Sequence, residues 1–144
     1  MLEEFRYIVR FRAGFADIDR LQHVNNAVYI RWMEHARIEY FADVFGIELN
    51  SETRTGVVQA NVSFHYEKMV FYRDDVAVGV RVSRLGTKSF ELSYSVVNET
   101  RGERAGYGET TLVAFDFVGG KSIAIPAEMR RQVADYEIVP PAGL

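Results

Sequence analysis

The sequence predicts an α+β fold in which an antiparallel sheet wraps around one long helix. One long stretch places apolar residues at helical spacing, and five other segments alternate apolar with polar residues. A strand followed by one helix and four strands is typical of α+β domains, and short connections favour antiparallel neighbours. The 144 residues, 48% hydrophobic and 26% charged, fit one globular domain. We expect this domain over residues 1–138 and a short, loose tail over 139–144.

The first two elements are a strand and the long helix. The strand is predicted over residues 5–12, where apolar side chains alternate largely with arginines. The helix is predicted over about residues 26–45, because apolar side chains recur there every three or four positions, and Gly46 follows as a stop signal. Further apolar residues occupy the rest of its circumference. We therefore expect a central helix that contacts more than one layer.

The remaining strands show the same period of two. They are predicted over residues 58–67, 76–82, 90–96 and 107–117. The segment Gly106-Tyr107-Gly108 lies inside a strand pattern, where glycines favour close packing of the backbone rather than nucleotide binding. Pro126 is expected to open a short helix that ends near Ala134.

Composition excludes several classes of protein. The absence of cysteine removes disulfides, thiolate nucleophiles and cysteine-based metal sites. No apolar run approaches the ~20 residues that cross a bilayer, and the N-terminus lacks the apolar block of a signal peptide. We therefore expect a cytoplasmic protein without a membrane partner. A net charge of −3 and the lack of a basic stripe argue against nucleic-acid binding.

The richest source of chemistry is the segment 17–26, which runs directly into the predicted helix. It places a carboxylate, an imidazole and two carboxamides close to the positive end of a helix dipole. Asp17 and Asp19 are candidates for a general base or a carboxylate nucleophile. An isolated aspartate at such a place is more often a turn former or a helix cap, so spacing alone does not decide its role.

Three further side chains of this segment are candidate site residues. His23 could act as a base, contact the substrate or serve a structural role. Asn25 and Asn26 could cap the helix or orient a substrate carbonyl. The unpaired N–H groups at a helix start also form an oxyanion site, where a thioester carbonyl would be polarised without a metal.

No metal or cofactor is expected. His35 and Glu39 stand four residues apart on the helix, but no HExxH motif or third ligand accompanies them. Neither a dinucleotide fingerprint nor a GxSxG elbow is present. Scattered basic residues could contact phosphates or simply carry surface charge, namely Arg84, Lys88, Lys121, Arg130 and Arg131.

The motifs Asp-x-Asp at 17–19, His-Val-Asn-Asn at 23–26 and Tyr-Ile-x-Trp at 29–32 together resemble a known family. They are similar to the hotdog-fold thioesterases of the 4-hydroxybenzoyl-coenzyme A thioesterase family. The similarity continues through residues 34–41, 72–76, 84–90 and 123–128. It implies a five-stranded antiparallel sheet around the helix. It also implies dimers joined sheet to sheet, tetramers built as dimers of dimers, and active sites at the dimer interface.

The resemblance also implies an acyl-CoA thioesterase and assigns roles to residues. The catalytic carboxylate of the family falls on Asp19, which leaves Asp17 as a structural acceptor. The backbone N–H of Asn26 falls where the family binds the thioester oxygen. Lys88 and Ser89 match positions near bound coenzyme A. The acyl pocket would be formed by helix residues, including Tyr29 and Trp32, with strand residues of the partner chain. Asn25 is a further candidate for a substrate-binding residue.

Two alternatives stay open at this point. The run Gln22-His23-Val24-Asn25-Asn26 resembles plant acyl-carrier-protein thioesterases, which use an aspartate, an asparagine and a histidine together. Asp19 and His23 match the first and the last, whereas Leu21 stands in place of the asparagine. The second alternative is a non-catalytic acyl-CoA binding module, since a fold alone does not fix function. A hotdog hydratase is the weakest option, because its Asp-x-Asn-x-x-His arrangement is absent.

Overall fold

The computed structural model describes residues 1–47 and 52–144. Its sheet has five long strands and one strand of two residues. They are β1 (Tyr7–Arg12), β2 (Thr55–Tyr66), β3 (Asp75–Leu85), β4 (Ser89–Asn98), β5 (Glu103–Asp116) and β6 (Lys121–Ser122). The strand order is β1-β3-β4-β5-β2 with β6 paired to β5, and every pair is antiparallel. This is the predicted α+β layout, and β2 lies at one edge of the sheet.

The long helix α1 (Asn26–Tyr40) packs against one face of the curled sheet. It continues as a π-helical turn over Phe41–Phe45 and ends at Gly46, whose φ of 69° is the left-handed conformation that glycine adopts most easily. The predicted helix bounds and stop signal are therefore confirmed. Its buried side chains meet the core-facing residues of β3 and β4, among them Val76, Val78, Val80, Val82, Phe90 and Leu92. No helix in the described part of the chain is both long and apolar enough to cross a membrane.

The strand β5 begins at Glu103, four residues before its predicted start at Tyr107. The early part lacks clean alternation because a bulge in the pairing with β4 falls between Val96 and Val97. Gly106 lies in this part. A Cβ on Gly106 would sit 2.6 Å from the Phe64 ring, so only a glycine allows this close approach. The prediction of close backbone packing at this glycine is confirmed.

The C-terminal segment corrects one expectation, since the tail is held and not loose. After the second helix α2 (Ala127–Tyr136), the backbone of Ala142 pairs with β3. Its N–H donates to the carbonyl of Ser83 at 3.0 Å, and its carbonyl accepts from the N–H of Leu85 at 2.8 Å. The tail covers the β3 edge beyond the end of β1, which satisfies backbone groups there.

Glu137, at the end of α2, anchors the same edge. Its Oε1 accepts hydrogen bonds from the Tyr40 hydroxyl and from the N–H of Val82. Its Oε2 is buried without a hydrogen-bond partner in the described part of the chain. Burial raises the pKa of Glu137, while the bonds from Tyr40 and Val82 and the charges of Arg81 and Arg6 oppose the rise.

Glu137→Ala is expected to lower the free energy of unfolding by about 1–3 kcal/mol, because the Tyr40 hydroxyl and the Val82 N–H lose their acceptor. Denaturant unfolding measures this loss. Glu137→Gln is the matched control, because its amide oxygen keeps both bonds.

A raised folded-state pKa of Glu137 means that ionisation of this carboxyl destabilises the protein as pH rises from the ordinary carboxyl pKa towards the raised one. The stability of Glu137→Gln relative to wild type should therefore increase over that window, and a pH-independent difference would contradict the assignment.

Candidate active site

The segment between β1 and α1 folds into a tight loop that brings its polar residues to the helix start. A short 3₁₀ turn covers Phe15–Asp17, and an antiparallel bridge then joins Ile18 to Val24. The bridge closes a turn in which the N–H of Asp19 donates to the carbonyl of His23 at 3.0 Å. Gln22 in this turn has a φ of 71°, a left-handed conformation that few non-glycine residues adopt. Such strain occurs where surrounding structure fixes a functional loop.

The two aspartates of the loop have different environments. Asp17 is engaged in structure: its Oδ2 accepts from the N–H of Gly14 at 2.8 Å, and its carbonyl accepts from the N–H of Asn25 at 2.9 Å. Its Oδ1 also lies 4.0 Å from the Arg31 guanidinium. Asp19 uses only Oδ1, which accepts from the N–H of Leu21 at 2.9 Å. No hydrogen bond to its Oδ2 is found among residues 1–47 and 52–144, so this oxygen remains available for chemistry.

The start of α1 presents an unpaired backbone donor. The Oδ1 of Asn25 accepts from the N–H of Ala27 at 2.9 Å, and its carbonyl accepts from the N–H of Val28 at 2.9 Å. Asn25 is thus the helix cap. Within the described residues, the N–H of Asn26 makes no hydrogen bond, and this is the donor that an oxyanion site requires. The carbonyl of Asn26 accepts from the Tyr66 hydroxyl at 2.8 Å, which ties the helix start to the end of β2.

A cleft of about 230 Å³ opens at this helix start. It is lined by His23, Asn26, Tyr29, Tyr66, Glu67, Lys68 and Met69. The Nδ1 of His23 lies 3.0 Å from the carbonyl of Val24. Because a carbonyl only accepts, Nδ1 carries the proton in this contact. Asp19 sits on the same loop but does not line the cleft of a single chain.

Aromatic rings form one wall of the cleft. The Tyr29 ring lies 5.3 Å from that of Phe64 and 5.2 Å from that of Tyr66. Burial raises the pKa of both tyrosines, and for Tyr29 the backbone of Val70 opposes the rise. Both phenols are therefore protonated at neutral pH, and the Tyr66 hydroxyl stays a donor to Asn26.

Trp32 lies away from the cleft. Its ring stacks on that of Phe11 in β1 at 5.7 Å and meets Tyr29 edge to face at 5.5 Å. Trp32 is buried in the core between α1 and β1. In one chain it supports Tyr29 from behind and does not face the cleft.

Lys88 and Ser89 lie at the opposite end of the sheet from Asn26. Ser89 pairs with Val113 of β5, whereas Tyr66, beside Asn26, pairs with Gly106 of the same strand. Seven residues of β5 separate these levels, which is about 24 Å along a strand. A single chain therefore does not bring Lys88 and Asn26 into one site.

The sequence patterns did not single out the cleft residues at 66–69. Tyr66 is the last residue of β2, and residues 67–69 follow it directly. They reach the helix start because β2 ends there. Their position depends on the strand order, which pairs β2 with β5 rather than with its sequence neighbour β3.

The remaining candidates, which are the His35–Glu39 pair and the scattered basic residues, have ordinary structural environments. His35 and Glu39 form an exposed pair with 3.7 Å between Nε2 and Oε1. In the described part of the chain, no three side chains of the metal-binding types group together. Of the basic residues, Arg84 pairs with Glu91 at 3.4 Å and Arg130 donates to the carbonyl of Gly86. Lys88 is exposed.

Comparison with known proteins agrees with this geometry. The model of the thioesterase-like superfamily matches residues 13–133. The long-chain acyl-CoA thioesterase FadM of Escherichia coli is 25% identical over 116 residues, which are 81% of this chain and 88% of that protein.

Solved structures share the fold. A thioesterase from Thermus thermophilus, solved with coenzyme A and zinc, is 33% identical with a TM-score of 0.82, covering 96% of this chain and 98% of its own. A thioesterase superfamily protein from Jannaschia has a TM-score of 0.87 at 22% identity, covering 97% of this chain and 88% of its own. The hotdog fold expected from the motifs is confirmed. The chain belongs to the thioesterase-like superfamily, a family of thioester hydrolases.

Proposed function

We propose that the protein hydrolyses acyl-CoA thioesters to a free carboxylic acid and coenzyme A. The observation that carries the proposal is the N–H of Asn26, which has no hydrogen-bond partner among the described residues. Asn26 lines a cleft beside the loop that holds Asp19, whose Oδ2 likewise accepts no hydrogen bond from those residues. The Escherichia coli relative acts on long-chain acyl-CoA, and the Thermus thermophilus relative binds coenzyme A, which supports this class of substrate.

In this proposal the helix start polarises the thioester. The carbonyl oxygen of the substrate accepts a hydrogen bond from the N–H of Asn26, and the positive end of the α1 dipole stabilises the developing negative charge. Tyr66 donates to the carbonyl of Asn26, so it holds the Asn26–Ala27 peptide group in the first turn of α1. His23 borders the same cleft and contacts the substrate.

Asp19 supplies the nucleophile by one of two routes. As a general base, it takes a proton from the water that attacks the carbonyl carbon. The tetrahedral intermediate then expels the coenzyme A thiolate, which takes up that proton from Asp19. As a nucleophile, its carboxylate attacks that carbon and expels the thiolate, and water then hydrolyses the mixed anhydride. Both routes release the same acid and thiol and return Asp19 as a carboxylate.

We also propose that two chains complete each site. β2 is an edge strand, so an antiparallel β2–β2 junction between two copies would extend the sheet. The twofold axis of such a junction places the Ser89 end of one sheet beside the Tyr66 end of the other. Lys88 and Ser89 of the partner would then approach the cleft at Asn26, and a tetramer would pair two such dimers.

Lys88→Ala is expected to raise the KM for acyl-CoA several-fold and leave kcat nearly unchanged. The reason is that a phosphate contact remote from the thioester is lost equally from ground state and transition state. The effect should shrink as salt screens the contact. The control substrate is the matching acyl-pantetheine, which lacks the nucleotide. Equal weakening of both substrates by Lys88→Ala would show that Lys88 does not contact the nucleotide.

The preference for coenzyme A over acyl-carrier protein is tested by attaching the same acyl group to each of them. We expect kcat/KM for the acyl-CoA to exceed that for the same acyl group on acyl-carrier protein. The reverse order would assign the protein to acyl-carrier-protein substrates and overturn the coenzyme A part of the proposal.

A further inference from the structure

One flank of α1, from Asn26 to Arg37, lies beside the edge strand β2. Residues seven or four positions apart on a helix share one face, so this flank carries Asn26, Met33 and Arg37. Contacts to β2 occur at both ends of it: the Tyr66 hydroxyl bonds to the carbonyl of Asn26, and the Arg37 guanidinium bonds to Oε1 of Gln59. We call the space between this flank and β2 the α1–β2 seam.

The middle of the α1–β2 seam is apolar and partly open. Val62 pairs with Thr110 and therefore points to the same face of the sheet, the face that α1 covers. Thr110 is 1% exposed there, whereas Val62 is 36% exposed. Below it, the terminal methyl of Met33 and the Phe64 ring fill the space over Gly108 of β5, since a Cβ there would lie 3.0 Å from the methyl and 2.9 Å from the ring. The middle of the α1–β2 seam is therefore lined by apolar side chains, and Val62 is exposed on it.

The far end of the α1–β2 seam is cationic. Arg37 is half-buried, and its guanidinium bonds to the neutral amide of Gln59. It also lies beside the buried Tyr94 hydroxyl, which shares a 2.9 Å hydrogen bond with Thr110. Among residues 1–47 and 52–144, no carboxylate oxygen lies within 4.0 Å of Arg37. A guanidinium in such surroundings is ordinarily paired with a carboxylate or phosphate, whereas Arg37 has no counterion within the described residues.

We propose that Arg37 binds a carboxylate at the distal end of the acyl group, so that the preferred substrates are coenzyme A thioesters of dicarboxylic acids. The inference rests on the proposed function, because it requires the thioester carbonyl at Asn26. Eleven residues of α1 separate the two ends, which is about 16 Å along the helix axis. The Arg37 side chain leans back towards the helix start and shortens this span. A medium-length chain that runs along the exposed Val62 therefore places its distal carboxylate at the guanidinium.

The test compares two acyl-CoA series of equal chain length, one ending in a methyl group and one in a carboxylate. For the wild-type protein, kcat/KM should favour the carboxylate series at the medium length that spans the seam. Arg37→Met, which keeps an unbranched apolar stem, should lower kcat/KM for the carboxylate substrate about tenfold to a hundredfold and change the methyl substrate less than about twofold. Arg10→Met, on the opposite edge of the sheet, is the matched control and should change neither.

Arg37→Lys keeps the positive charge and is the second variant, which keeps the test usable if Arg37→Met fails to fold. It should retain part of the carboxylate preference, because an ammonium is a point charge without the guanidinium fork. A merely structural Arg37 would give the same relative loss for both series in both variants. That result, or a wild-type preference for the methyl series at every length, would overturn the inference.

Binding of non-hydrolysable thioether analogues separates this inference from the proposed function. If no thioester is hydrolysed but wild type binds the carboxylate analogue more tightly than the methyl analogue and Arg37→Met does not, the hydrolase proposal fails and the Arg37 site stands. If thioesters are hydrolysed while wild type binds both analogues equally, the hydrolase proposal stands and the Arg37 site is wrong. Isothermal calorimetry on the full-length protein gives both dissociation constants.

Discussion

Asp19→Asn is expected to lower kcat for acyl-CoA hydrolysis by about 10²–10⁴-fold while the protein stays folded. The substitution replaces the carboxylate with a near-isostere that neither takes up a proton from water nor attacks an acyl carbon. The fold should survive, because an asparagine Oδ1 also accepts the N–H of Leu21 that Asp19 binds. Steady-state thiol release measures kcat, and circular dichroism checks the fold.

Asp17→Asn is the matched control for this prediction. It makes the same chemical change two residues away, on a side chain that holds the N–H of Gly14. We expect a much smaller loss of kcat than for Asp19→Asn. Wild-type turnover by Asp19→Asn, or equal losses in the two variants, would remove Asp19 from the catalytic step.

Activity is also expected to require at least a dimer. In one chain Asp19 belongs to the loop between β1 and α1 but does not line the cleft. Lys88 lies about 24 Å from the Asn26 end of the sheet, measured along the strands. If Asp19 and the partner's Lys88 act on the substrate as proposed, a lone subunit holds an incomplete site. Asn61→Lys places a charge near the middle of the exposed edge strand β2, where the copies of this residue approach one another at a twofold junction. We expect this variant to be more monomeric and to lose activity in proportion.

Light scattering and activity, measured on the same samples over a dilution series, test this requirement. Val118→Lys is the control, because it adds the same charge at an exposed turn outside β2 and should change neither quantity. A fully active monomer at assay concentration would contradict the shared site.

The elements that the sequence predicted well are those with strong local signals. The period of α1 and the left-handed Gly46 mark the long helix within a few residues, because both signals are local. The start of β5 was predicted late, since a bulge against β4 breaks the alternation there. The tail was expected to be loose because its contacts lie far away in sequence: Ala142 meets Ser83 and Leu85. No local sequence pattern predicts such a contact.

The candidate site divides in the same way. The loop residues Asp19, His23 and Asn26 stand within eight positions, so their chemistry is visible in the sequence. The contribution of Tyr66 and Lys68 depends on β2 ending at the helix start, which follows from the strand order. Trp32 packs against Phe11 of β1. Helical spacing alone does not tell which flank of α1 faces β1 and which faces β2.

Turnover of acyl-CoA is measured as the release of free thiol and free acid by the wild-type protein, with substrate in large excess. We expect many equivalents of both products per chain, released in equal amounts. Saturable binding of acyl-CoA with no release above the uncatalysed background, for every acyl group and for both carriers, would contradict this expectation and leave a binding module.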